Sequence, residues 1–227
     1  MEFLDAQALD GGRLELRHRV LEPETFILVT TVTPEPGGVE FLAHVEMDEE
    51  RSGGRPTRLM TPNLCWQLRH APGFSSVPEP YPEFVKRCFI FTQEGRTFLD
   101  KTARGKIPCR PEEDPYNNPP WVQMYVGAWQ EMPRVGPTSW ADRSPDRYVA
   151  TVIGAVSRDG RYLAALANDS ATGMCQAWHD CMHNNPQWLP QDAPPHERTW
   201  RLKMYVMEND PKALLTRAGE DFPGVMP

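Results

Sequence analysis

The strongest constraint on this chain is a two-residue rhythm. Apolar and polar side chains alternate over one segment after another, and proline- or glycine-bearing turns separate the segments. Successive side chains of a strand point to opposite faces, so such alternation specifies a strand with one face buried. In RLELRHRV (13–20), Leu14, Leu16, His18 and Val20 fall on one face, and Arg13, Glu15, Arg17 and Arg19 on the other. FILVTTVT (26–33) is β-branched and reads as a more deeply buried strand. The turn PEPGG (34–38) leads into VEFLAHVEM, with Phe41, Ala43, Val45 and Met47 on one face and Glu40, Leu42, His44 and Glu46 on the other. Two strands about such a turn make a hairpin. FVKRCFIFT (84–92) and RTFLD (96–100) flank a second turn. YVATVIGAVS (148–157) and RYLAALAN (161–168) flank Arg158-Asp159-Gly160, and Asp-Gly between apolar runs is the strongest short hairpin signal. WRLKMYVM (200–207) alternates Trp200, Leu202, Met204 and Val206 against Arg201, Lys203, Tyr205 and Met207.

Helical signals are few. DPKALLTRA (210–218) carries Asp210 as N-cap, Pro211 in the first helical position and Gly219 just past the end. Segments 62–70 and 82–88 each have room for a turn or two. The expectation is therefore all-β: a large antiparallel two-sheet sandwich with long Pro-rich loops and a short C-terminal helix. No shift of composition marks a boundary, so residues 1–227 read as one sandwich domain. The 24 prolines are about twice average usage. They concentrate in 103–147, read as two long loops around a strand at 121–129, and loops of that length in a compact domain are usually functional or disordered.

Charge and hydropathy exclude whole classes. The net charge is −7, with 31 acidic residues against 24 basic. A nucleic-acid binder needs the opposite field, so no nucleic-acid partner is expected. The longest apolar runs, Phe26 to Val32 and Tyr148 to Val156, fall short of the ~20 residues of a spanning helix, so no membrane partner is expected either. The start, MEFLDAQALDGG, shows no basic-then-apolar leader. The five cysteines (65, 88, 109, 175, 181) are odd in number and form no paired framework, so buried free thiols in a cytoplasmic compartment are the expectation.

Two segments echo each other: Tyr116-Asn117-Asn118-Pro119-Pro120-Trp121 and His183-Asn184-Asn185-Pro186-Gln187-Trp188. Asn tolerates left-handed backbone and Pro fixes φ, so each copy reads as a rigid turn presenting a Trp ring. Either the rings cap a sheet edge, or Trp121 and Trp188 form stacking platforms for the C–H faces of a sugar, with Tyr116, Asn118 and Asn185 bonding its hydroxyls. The densest reactive cluster is Trp178-His179-Asp180-Cys181-Met182-His183. As a strand it puts His179, Cys181 and His183 on one face with Cys175; as a helix His179 and His183 still share a face. Periodicity leaves both open. Two histidines on one face suit a divalent metal, but ordinary hydrogen-bonded histidines fit the pattern as well, and acid–base use of one of them needs no cofactor. His44 and Glu46 form a second pair on the polar face of a strand: a solvated face, or the lining of a cleft if loops cover it. His70 is a weaker candidate, and Asn168-Asp169-Ser170 fits the glycosylation sequon.

The run SRDGRYLAALAND, then WHDCMHNNP, then RTWRLKMYVMENDPKALLTRAGEDFP resembles the C-terminal strands of the galactose-mutarotase-like carbohydrate-active sandwiches, and LELRHRVLEPETFILVTTVTP is similar to their early strands. The resemblance implies a sheet face that binds saccharide and a His/Glu pair that moves a proton. The functional expectation is a carbohydrate-active protein, lyase or isomerase ranked slightly above glycoside hydrolase, with His183 or His179 as acid and Glu46 or Asp180 as base or orienting group beside His44. The alternatives are a non-catalytic carbohydrate-binding module and a metal-dependent enzyme using His179 and His183.

Overall fold

Alternating segments become strands where a neighbour takes up their backbone groups. In the computed structural model, which describes residues 1–21, 26–48, 66–69, 81–103, 123–132, 142–169, 171–176, 181–186 and 199–223, the strands in chain order are β1 (Glu2–Ala8), β2 (Leu14–Val20), β3 (Phe26–Glu35), β4 (Gly38–Met47), β5 (Trp66–Arg69), β6 (Cys88–Thr92), β7 (Gly95–Phe98), β8 (Gln123–Tyr125), β9 (Asp142–Arg143), β10 (Val152–Val156), β11 (Tyr162–Asn168), β12 (Ala171–Gln176), β13 (Cys181–Pro186) and β14 (Thr199–Glu208). The helices are α1 (Tyr81–Val85) and α2 (Pro211–Asp221). The fold class is all-β, with two sheets. Among the described residues, no helix is long and apolar enough to cross a membrane. The chain divides into two compact units, Met1–Leu64 with Gln187–Met204, and Cys65–Pro186 with Tyr205–Pro227.

In the first unit the strands run antiparallel in the order β1-β2-β3-β4, followed by the start of β14. The β3–β4 hairpin follows the alternation: Ala43 and Val45 are fully buried, while His44 and Glu46 between them are half-buried on the opposite face. β1 carries no recognisable alternation, because all seven of its residues are exposed and its register to β2 slips between Phe3 and Asp5. It is held by backbone pairing to β2, not by burial.

The second unit is itself a layered sandwich. One sheet runs from the end of β14 through β11, β10 and β6 to β7; the other has the order β5-β13-β12-β8-β9, antiparallel except for the parallel β8–β9 pair. β10 and β11 are buried on both faces, which is why their sequence reads as nearly continuous apolar residues. On one face Val152, Val156, Leu163, Ala165 and Ala167 pack with Phe89, Tyr205 and the α2 residues Leu214 and Ala218. The other face carries Ile153, Ala155, Ala164 and Leu166, on the side where β13 lies. The Asp-Gly hairpin forms as its sequence predicts, with Gly160 at φ 74°, a left-handed conformation that glycine adopts without strain.

Several local expectations change. Segment 174–183 is neither one strand nor a helix: β12 ends at Gln176, and β13 returns antiparallel to it with Cys175 opposite His183. Residues 66–69 are a strand, not a helical turn, because they pair with 181–184. Among the described residues, the strand expected at 121–129 is β8, with Gly127 bridging Tyr148. The helix does not stop before Gly219. It continues to Asp221, because Phe222 at its end is buried in the same core as Leu214 and Ala218. In β14 the inward face changes partway: Trp200 and Leu202 are buried in the first half, Tyr205 in the second, and Val206, expected to share a face with Trp200, is exposed.

Candidate functional site

The hairpin registers of the first unit collect the polar residues of three strands on one face. Arg17 stands opposite Val29, and Val29 opposite His44; Arg19 stands opposite Ile27, and Ile27 opposite Glu46. Arg17 Nη2 donates to Glu46 Oε2, and His44 Nε2 lies 3.2 Å from Glu46 Oε1. Arg17 Nη1 lies 3.6 Å from Glu15 Oε1. Farther along, Arg19 Nε donates to Asp48 Oδ2 at 2.8 Å, Arg201 pairs with Glu40 at 2.6 Å, and the buried Lys203 Nζ pairs with Glu35 Oε2 at 2.7 Å.

Electrostatics set the proton positions in the His44–Glu46–Arg17 group. Burial works to raise the Glu46 carboxyl, but the hydrogen bonds from Arg17 and His44 and their charges outweigh it and hold the group below the ordinary carboxylate value. The Glu46 hydrogen bond in turn raises the Arg17 guanidinium above its usual value. An ionised carboxylate only accepts, so His44 donates from Nε2, and in the neutral imidazole Nδ1 is then the acceptor. All three side chains are about one-third exposed, at 33% for His44, 38% for Glu46 and 34% for Arg17. The group is therefore fixed from within and reachable from without. The sequence pointed to His44 and Glu46 from their alternation; Arg17, 29 residues away from Glu46, joins them only through strand pairing.

The residues of the second cluster take different places. His183 is 7% exposed on β13, with the buried Cys175 opposite it. Cys88 and Cys175 are buried free thiols. Asn184 is fully buried: its Nδ2 donates to the Thr151 and Leu166 carbonyls at 3.0 and 3.2 Å, and its Oδ1 accepts from Asn168 Nδ2 at 2.5 Å. Asn168 is thus spent in the core, and the sequon there is a structural amide in the fold. The second Asn-Asn-Pro copy begins not as a turn but within β13, because 181–184 are taken up by pairing with β5. Asn185 Oδ1 is a buried acceptor with no hydrogen-bond partner among the described residues. His179, Asp180, Trp121, Trp188, Asn118, Tyr116 and His70 lie outside the described residues. Among the described residues, no group of three or more His, Cys, Asp or Glu side chains is placed to hold a metal ion.

No protein-family model matches the chain, and no curated protein sequence matches it. Among solved structures it is similar to the Slr1438 protein from Synechocystis sp. PCC 6803, at 12% identity and a TM-score of 0.34, over 91% of this chain and 65% of that one. The chain thus spans just under two thirds of the length of that structure.

Proposed function

We propose that this protein is a carbohydrate-active enzyme that moves a proton on a sugar or sugar derivative, with His44 as the acid–base group. The observation that supports this reading is the hydrogen-bonded, solvent-reachable His44–Glu46 pair anchored by Arg17. Glu46 is a positioning residue: it fixes the imidazole tautomer, leaving Nδ1 to take a proton from the substrate and return it to another atom. Glycoside cleavage normally places two carboxyl groups about 5–9.5 Å apart across the bond. The Glu46 carboxylate is engaged by Arg17 and His44 instead, which favours isomerase or lyase chemistry over hydrolysis.

A panel of hexoses and hexuronates tests this, with NMR following epimer exchange and ultraviolet absorbance following unsaturated products. His44→Ala is expected to lower kcat by about 100-fold or more. Glu46→Gln is expected to lower kcat and displace its pH profile with KM little changed. Unaltered turnover in His44→Ala overturns the assignment. Saturable sugar binding without turnover makes the protein a carbohydrate-binding module instead.

A further inference from the structure

The second unit holds a cavity of about 430 Å³ that no motif in the sequence announced, lined by Thr92, Gln93, Glu94 and Thr97 of the β6–β7 hairpin, Lys101, Ala128, and Pro145-Asp146-Arg147. Its size lies within the ~300–1,000 Å³ usual for small-molecule sites. Arg147 is the structural key. Its Nε donates to the carbonyls of Val126 and Gly127 at 3.3 and 3.1 Å, and its Nη2 donates to those of Gly127 and Gln130. Gln130 Oε1 accepts from Gly127 N at 2.8 Å, which ties the same turn to itself. Asp146 is held on the other side, with Oδ2 accepting from Ala103 N at 2.6 Å. These bonds leave Arg147 Nη1 and Asp146 Oδ1 with no hydrogen bond among the described residues. A donor and an acceptor on consecutive residues, each fixed by its other atoms, thus sit in one cavity wall.

The lining charges decide what kind of ligand suits them. Lys101 and Arg147 are balanced by Glu94 and Asp146, and Lys101 Nζ is already 2.8 Å from Asp100 Oδ2. With the charges of its described lining residues balanced, the cavity gives a phosphate or other net anion no general advantage. It suits a neutral ligand with many hydroxyls, each able both to donate and to accept. An apolar surface stands on the same turn. Trp129 is not itself a lining residue, but it follows Ala128 of the wall, is 45% exposed, and rests on Gly127, where an added Cβ would come within 2.7 Å of the indole. Its ring meets Tyr148 edge-on at 5.3 Å.

We propose that this cavity is a saccharide-binding site for a neutral sugar, with Asp146 and Arg147 bonding neighbouring hydroxyls and Trp129 offering a ring face to the sugar C–H groups. The proposal shares a ligand class with the His44 reading but stands on separate residues. Its turn is built before any ligand arrives, so little ordering cost falls on binding.

Saturation-transfer NMR and calorimetry on the full chain test it, with D-glucose, D-galactose, D-mannose and cellobiose as probes. At least one is expected to bind saturably. Asp146→Asn keeps an acceptor for the Ala103 amide while converting the other oxygen to a donor, and it is expected to weaken binding about tenfold. Trp129→Ala is expected to weaken it as well. Binding of none of these sugars overturns the site. Binding that survives both Asp146→Asn and Trp129→Ala also overturns it, and loss in His44→Ala would then move the sugar to the His44 face.

Discussion

At the scale of single residues, Asn184 is a fully buried centre of bonding in the second unit's core. Three hydrogen bonds meet on its amide, and Thr151 Oγ1 extends the network to the Asn168 carbonyl. Removing such a group strands its partners in a region water does not reach, and each stranded group costs about 1–3 kcal/mol. Asn184→Ala is expected to lower unfolding free energy by about 2–4 kcal/mol, read as a fall in the denaturation midpoint at constant slope. Glu46 gives a pH prediction. Its carboxyl is depressed in the fold, so its contribution to stability is present above the ordinary carboxylate value and is lost as pH falls through the lower folded value. In Arg17→Met the bond and charge that do most to hold it down are gone, and the Glu46 midpoint followed by NMR is expected to rise.

At the scale of elements, packing across β6 and β10 depends on one missing side chain. Gly154 stands opposite Phe89, whose ring fills the space a side chain would take: an added Cβ would lie 2.5 Å from Phe89 Cζ and 2.9 Å from the Ala164 carbonyl oxygen. The ring can rotate, but the carbonyl belongs to the β11 backbone and cannot yield. Gly154→Ala is expected to cost about 1–3 kcal/mol, seen as a lowered Tm. The hairpins that carry these elements were legible in the sequence, because a clean alternation or an Asp-Gly turn fixes a strand from within. β1 was not, since an exposed edge strand has no burial to impress on its residues. β5 was not either, because a four-residue strand is made by its partner. The same division runs through the candidate sites: His44 and Glu46 lie two apart on one strand and could be read together, whereas Arg17 and the cavity wall come from segments that only pairing brings close.

At the scale of the whole molecule, local stability should follow depth of burial. β10 and β11 are covered on both faces and β1 on neither. Hydrogen exchange followed by mass spectrometry is expected to show slowest exchange in peptides covering 152–168 and fastest in those covering 2–8. Equal rates in the two would contradict the layered arrangement of the second unit. The turnabout in β14 has a further consequence. Trp200 and Leu202 obey one parity of the pleat and Tyr205 the opposite one, so the segment between them acts as a phase boundary in the strand. Substitutions there can be absorbed one side chain at a time. A single-residue insertion or deletion cannot, because it would put Tyr205 in the place of the exposed Val206 or of the half-buried Met204. Across descendants of this sequence, the length of the stretch from Leu202 to Tyr205 should therefore be held more strictly than its composition.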